Sequence, residues 1–370
     1  MSEFIKLIKP YISFDEVSSE LRSIFDSGQL TKGINVEKFA NSLKDYTGSE
    51  HAVLATSATT ALTLCLKCLG VEAGDKVAVS DFSFPATANV VEDLGAIPVF
   101  IDVELTTYNM SVSKLKAALE DGVKAVIFVD ALGNPSGLLE IKEICQSFSV
   151  PLIEDAACAI GSSVNGQKVG SVAALTCLSF HPRKLITSGE GGAILTNNSA
   201  YASWLQIKTN HGASGFKGKG LDFVDFGYNY RMSEIQALLG WKQIEKLDSI
   251  VDERNLIAKE YAGRLEPLGF VAQHISAKTR HNVQSLIFTV PDQIGRDALI
   301  DFLVTKSIES TIGTYSLSAT TYYKSKYSDV QPNALFLEQN TIALPCFNGV
   351  DVQRVANAIE EYHSKISNHR

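Results

Sequence analysis

Apolar positions in the first fifty residues recur at helical spacing. Val17, Leu21, Ile24 and Phe25 mark an amphipathic helix that Ser13-Phe-Asp-Glu16 opens as a capping box and Gly28 ends. Val36, Phe39, Leu43 and Tyr46 mark a second, ended by Gly48. The pattern then changes. Short apolar runs at Ala52–Ala55, Lys76–Ser80, Pro98–Val103, Ala125–Asp130 and Pro151–Ala156 alternate with helical stretches at Ala58–Leu69, Ala86–Leu94, Val112–Leu119 and Leu138–Phe148. Apolar strands separated by helices predict an α/β protein whose mainly parallel sheet is covered on both faces. Thr176–Phe180 and Gly192–Thr196 bring the sheet to seven strands. On such sheets ligands bind beyond the carboxyl ends of the strands, so chemistry is sought in the loops there.

Between Ser233 and Pro267 no proline intervenes, and Ile235, Leu238, Leu239, Ile244, Leu247 and Val251 recur at helical intervals. This predicts a long helix, with room for one break, carrying the chain out of the first domain. The remainder reads as a strand (Val283–Val290), a helix (Asp297–Ser307), a strand near Thr341–Leu344 and a final helix, which suits a smaller α+β domain. A chain of 370 residues exceeds what one core holds. The expected division is residues 1–245, a large domain with its N-terminal helices, and residues 246–370.

Composition changes this picture little. Apolar residues make up 45% of the chain and charged residues 20%, as in an ordinary soluble enzyme. A net charge of −8 argues against nucleic-acid or anionic-membrane partners while leaving room for a local basic pocket. The opening MSEFIKLIKP has neither the apolar core nor the cleavage site of a signal peptide, and no run is long and apolar enough to span a membrane. Six cysteines without disulfide spacing fit a reducing cytoplasm. Cys65-Leu-Lys-Cys68 has the spacing of a metal or redox motif, but it lies in an apolar helical stretch. No second pair completes four ligands, so these are read as core cysteines and no metal site is expected.

Three stretches carry chemistry. The apolar strand Pro151-Leu-Ile-Glu-Asp155 ends in two acids, placed to hold a cation in a shielded crevice or to cap the next helix. Farther on, Ser179-Phe-His-Pro-Arg-Lys184 sets a lysine just after a strand, followed by the glycine-rich Thr187-Ser-Gly-Glu-Gly-Gly192. Thr56-Ser-Ala-Thr-Thr-Ala61 joins the first strand to a helix whose N-terminal N–H groups suit an anion, with Ser57 as a plain helix cap at the same place.

Taken in order with Asp225-Phe-Gly-Tyr-Asn-Tyr-Arg-Met232, these motifs resemble the DegT/DnrJ/EryC1/StrS family of sugar aminotransferases from about Ser27 to near the C-terminus. The resemblance implies a fold-type I transferase dependent on pyridoxal 5′-phosphate (PLP). Lys184 matches the lysine that forms a Schiff base with the cofactor and then shuttles protons. Asp155 matches the carboxylate that keeps the pyridine nitrogen protonated, and Phe84 the aromatic residue stacked on the ring. Ala58, Thr59 and Ser179 match the phosphate cup. Asn229 matches an asparagine reaching the phosphate from a partner subunit, which implies a homodimer with shared sites. Cys158 stands where the family usually has a glutamine bonded to the cofactor's ring hydroxyl, so that role is not carried over.

His181 reads as a positioning or substrate contact and His211 as a pocket contact or a structural residue; Arg231 and Tyr315 are candidates for substrate phosphate or sugar. The expected reaction is ping-pong transfer of an amino group from an amino acid, glutamate in the first instance, to a nucleotide-linked keto sugar. The SFHPRK and TSGEGG pattern resembles the branch acting at C4 of 4-keto-6-deoxy sugars. Amination at C3, amination of a non-nucleotide cyclic ketone and a PLP-binding regulator without turnover are the alternatives.

Overall fold

The computed structural model describes residues 3–367. Met1, Ser2 and residues 368–370, parts of the N-terminal segment and C-terminal region read above, lie outside the described residues. Seven strands form the main sheet in the order His51–Ala55, Gly192–Thr196, Leu175–Ser179, Leu152–Asp155, Ala125–Val129, Lys76–Ser80, Ile97–Ile101. Gly192–Thr196 runs antiparallel to both neighbours and the other pairings are parallel.

Side chains alternate across the sheet with period two, and both faces are covered. Val77, Val79, Ile127, Ile153 and Cys177 pack with helices Ala58–Cys68, Ala86–Asp93 and Ser199–Thr209. Ala78, Val126, Phe128 and Leu152 face helices Val112–Glu120 and Leu138–Ser147 on the other side. That double burial is why these strands read as continuous apolar runs.

The long helix predicted after Ser233 is two, Glu234–Ile244 and Leu247–Leu265. Beyond them a four-stranded antiparallel sheet has the order Val271–Ala272, Leu286–Thr289, Thr341–Leu344, Thr311–Ile312. Phe288 and Ile342 of this sheet share a core with Leu299 and Val355 of helices Arg296–Thr305 and Val352–Ser367. Ile5 joins this second core across the whole length of the chain. The strap that follows it is pinned at several points. The Ile5 N–H donates to the Ser307 carbonyl (2.9 Å), the Cys346 N–H to the Leu7 carbonyl (3.2 Å) and the Lys246 ammonium to the Tyr11 carbonyl (3.1 Å).

Two boundaries differ from the sequence reading. The Ser13 N–H does donate to the Glu16 carboxylate at 3.0 Å, but residues 14–17 form a turn and the helix runs Ser18–Ser27 from Val17. Only half of the capping box is built, and it closes a turn instead of opening a helix. The strand expected from Val283 begins at Leu286, because Val283 takes a positive φ of 53° that no strand accommodates.

The second helix, Ile34–Thr47, lacks a capping side chain of its own. Glu234, 2% exposed, supplies one from the first turn of Glu234–Ile244. Its carboxylate accepts from the N–H groups of Gly33 (2.8 Å), Asn35 (2.9 Å) and Val36 (3.0 Å) and from the Asn35 side-chain amide (2.9 Å). An acid at a helix N-terminus also meets the positive end of the helix dipole. Glu234→Gln is therefore expected to cost about 2 kcal/mol, read as a lower urea midpoint, whereas an unchanged midpoint would remove this cap from the account of stability.

Candidate active site

A cavity of ≈ 640 Å³ opens at the carboxyl ends of the main-sheet strands and is closed on its far side by the second sheet. Each strand end delivers one group. Leu152–Asp155 delivers Asp155, Leu175–Ser179 delivers Ser179, and His51–Ala55 leads into helix Ala58–Cys68. Of the residues singled out in the sequence, Ala58, Thr59, Phe84, Asp155, Ser179 and Lys184 all line this one cavity, as do His181 and Tyr315.

The anion cup is backbone. Ser57 caps the helix, its hydroxyl accepting from the Thr60 N–H at 3.1 Å, while Ala58 and Thr59 occupy the first-turn positions whose N–H groups have no acceptor within the helix. Both readings of Ser57-Ala-Thr thus hold together. Gly192 makes the cup possible: a Cβ there would sit 2.5 Å from the Ser57 carbonyl oxygen and 2.7 Å from the Ala58 nitrogen. The last glycine of the TSGEGG stretch gives its strand room to lie against the cup.

Asp155 is buried, its carboxylate accepting from the Thr87 hydroxyl (3.0 Å) and the Ala157 N–H (3.2 Å). Burial pushes its carboxyl above the ordinary range, opposed by the Ala157 N–H, Thr87 and the Lys184 ammonium. An anion held in such a place favours a cation beside it, which is what a pyridinium nitrogen offers.

On the opposite face of the same strand, Glu154 meets Asp130. Neither oxygen of Asp130 nor Oε1 of Glu154 has a conventional donor, and both residues are fully buried. Burial and the neighbouring Glu154 drive the Asp130 carboxyl well up, so Asp130 holds the proton shared by the pair. Glu154, itself pushed up to about 6 by burial, is steadied by the Thr176 hydroxyl at 2.7 Å. A proton between the two carboxyls joins one oxygen of each and spares Asp155 a second full negative charge behind it.

The Lys184 ammonium donates to the Cys158 sulfur at 3.0 Å. The residue that departs from the family pattern is thus the lysine's own neighbour. The His181 ring accepts from the Arg183 N–H at Nδ1 (3.2 Å), so the neutral ring carries its proton on Nε2, which points to Glu190 at 3.9 Å. Phe84 stands exposed at the mouth with Tyr315 edge-on, ring centroids 6.4 Å apart. The donor set fits PLP: Ala58, Thr59 and Ser179 for the phosphate, Asp155 for the ring nitrogen, Phe84 for the ring face and Lys184 for the aldehyde carbon.

Three residues lie elsewhere in this chain. Asn229 is exposed and bridged to Asn210, whose side chain also accepts from Arg231 (3.0 Å). His211 sits on an exposed turn at φ 58°, its N–H donating to the Tyr228 carbonyl, and does not line this chain's cavity. Sequence reasoning missed Thr87, although it lies in the helical stretch Ala86–Leu94, and missed Asn282, Gln284 and Arg254, which no motif singles out.

Comparisons with known proteins bear on the fold and the family. The GDP-perosamine synthase of Vibrio cholerae is 30% identical over 353 residues, spanning 94% of this chain and 96% of that protein. The solved DegT DnrJ EryC1 StrS aminotransferase from Brucella abortus superposes with a TM-score of 0.87 at 28% identity, covering 94% of this chain and 95% of that one. The PLP form of a putative sugar aminotransferase from Streptococcus pneumoniae gives 0.90 at 26% identity, over 98% of this chain and 100% of its own. The model of one family matches residues 13–361, and the chain belongs to that family, the PLP-dependent DegT/DnrJ/EryC1/StrS aminotransferases.

Proposed function

We propose that this transaminase moves an amino group from L-glutamate to C4 of a nucleotide-linked 4-keto-6-deoxy sugar. The observation that carries the reading is the convergence of Lys184, Asp155 and the Ser57–Thr59 helix start on one cavity. PLP supplies an electron-withdrawing ring that stabilises charge on the amino-bearing carbon. With the cofactor bound, Lys184 would hold it through its side-chain amine, and that amine would then accept and return the proton moved during transfer. Asp155 would keep the ring nitrogen protonated. His181, half-exposed with its Nε2 directed to Glu190, suits a contact to sugar or phosphate oxygen, and Tyr315 lines the same cavity. C4 is supported by the SFHPRK and TSGEGG pattern, and a nucleotide-linked sugar by the likeness to GDP-perosamine synthase.

The working unit in this reading is a cytoplasmic homodimer, each subunit of which divides into a large domain, residues 1–245, and a smaller one, residues 246–370. Asn229 and Arg231, away from this chain's cavity, then serve the partner's. The exposed aromatic residues Phe216, Phe223 and Phe226, on and beside the hairpin Ala213–Lys217/Gly220–Phe223, support a subunit contact there. The free thiols suit a reducing compartment.

Three outcomes test the reading. Borohydride reduction of the holoenzyme followed by peptide mapping should place the cofactor on Lys184; an adduct on Lys168 or Lys208 overturns the assignment. The pyridoxamine form, incubated with a panel of nucleotide keto sugars, should be returned to PLP by a 4-keto-6-deoxy sugar, and NMR of the product should show nitrogen on C4. Nitrogen on C3 sinks the regiochemistry and leaves the family intact. Finally, Lys184→Ala and Asn229→Ala chains, each inactive alone and co-expressed in equal amounts, should recover about a quarter of wild-type activity, because half the dimers are mixed and each of those has one intact site. Recovery no greater than the mean of the two mutants rules out sharing.

A further inference from the structure

The loop from His181 to Ser188 belongs to no helix or strand, yet it must hold the Lys184 side chain at a set depth in the cavity. The only backbone bond that Lys184 itself donates is to the His181 carbonyl (2.8 Å). The peptide groups on either side of it are bonded by one side chain from the other half of the molecule. The Gln284 amide donates to the Arg183 carbonyl at 2.7 Å, and its oxygen accepts from the Leu185 N–H at 2.7 Å. Gln284 is 6% exposed and lines the cavity. It acts on the lysine loop as a neighbouring strand would, with a carboxamide in place of a peptide.

Gln284 is itself held with unusual care. Val283 beside it is β-branched yet has φ 53°, a conformation that costs on the order of 1–3 kcal/mol and persists only where its surroundings over-determine it. Arg254, 1% exposed, donates through Nε to the Val283 carbonyl (2.8 Å) and through Nη2 to the Gln284 carbonyl (3.0 Å). Asn282, fully buried, donates to the carbonyls of Cys158 (2.9 Å) and Ile160 (2.8 Å), and its oxygen accepts from the Gln284 N–H (2.9 Å). The same three-residue segment therefore grips the turn carrying Cys158 and the loop carrying Lys184, the two residues in contact at 3.0 Å. A segment that merely ended a strand would need none of this.

We propose that Gln284 is a positioning residue for Lys184: held by Arg254 and Asn282, it fixes the lysine loop so that the amine stands where it can condense with the cofactor's aldehyde and release water. The proposal rests on the assignment of Lys184 as the cofactor lysine. Its signature is a split between covalent and noncovalent affinity. Without the two Gln284 bonds the cup and Asp155 still bind the phosphate and the ring, but the amine is misplaced.

The test uses the full chain stripped of cofactor, with Gln284→Met, which keeps volume and loses both bonds, and Gln284→Glu, which keeps only the acceptor for the Leu185 N–H. After PLP is added, the rate of covalent capture is followed by absorbance and by borohydride trapping, and the noncovalent affinity is measured with pyridoxamine phosphate. Capture should slow by about tenfold or more in Gln284→Met and by less in Gln284→Glu, while pyridoxamine phosphate affinity stays within about twofold. Capture by Gln284→Met at the wild-type rate overturns the proposal. So does an equal loss of both affinities, or failure of both variants to fold, since each marks Gln284 as structural alone. Lys184→Ala keeps the two readings apart: a reduced adduct still forming in that variant refutes the lysine assignment itself, whatever Gln284 does.

Discussion

A peptide group buried without a partner costs about as much as a lost hydrogen bond, and the active-site cavity is walled by chain that has just left a strand. Strand ends are where ligands can be reached, and they are also where ladder bonding stops. This protein meets that constraint with side chains that stand in for backbone. Gln284 bonds both peptide groups flanking Lys184, Gln243 bonds both the N–H (3.1 Å) and the carbonyl (2.6 Å) of Thr187, and Asn109 donates to the carbonyls of Asn134 and Ser136 (2.8 Å each). Glu234 does the same for a helix start. Such side-chain networks specify one arrangement because half-made versions leave several buried groups unpaired.

Charge obeys the same economy of place. Asp155 lies on one face of its strand and the Asp130–Glu154 pair on the other, so three carboxyl groups crowd a few residues of buried chain. Had all three ionised, the desolvation penalty would be prohibitive. Asp130 carries the pair's proton, Glu154 is hydrogen-bonded, and Asp155 faces the cavity on the side where the Lys184 ammonium opposes the upward push of burial.

The sequence was most informative where one local rule acts. The strands that run apolar on both faces and the helices ended by Gly28 and Gly48 were legible, because burial and left-handed caps leave direct marks on composition. The cup, Asp155 and Lys184 were legible as motifs. The clamp at Asn282–Gln284 was not, because a carboxamide reaching a loop about 100 positions away leaves no periodicity and no spacing to read. The strand expected from Val283 failed for the same reason: its β-branched residues argue for extended chain, and a distant guanidinium overrides them. Ser13 misled in the opposite sense, since its partner Glu16 is present but the backbone between them turns too early.

The N-terminal strap has a consequence for how the molecule is assembled. Ile5 bonds to Ser307 and Leu7 to Cys346, and Leu7 and Ile8 form part of the cavity wall. During synthesis this segment is made some three hundred residues before its docking partners. The main sheet, whose last strand ends at Thr196, can form early from the chain already available. The wall that the strap completes has to wait, exposed, until the final strand and helix arrive. A chain truncated near its C-terminus would accordingly keep much of the sheet while losing closure of the pocket at its opposite, N-terminal end.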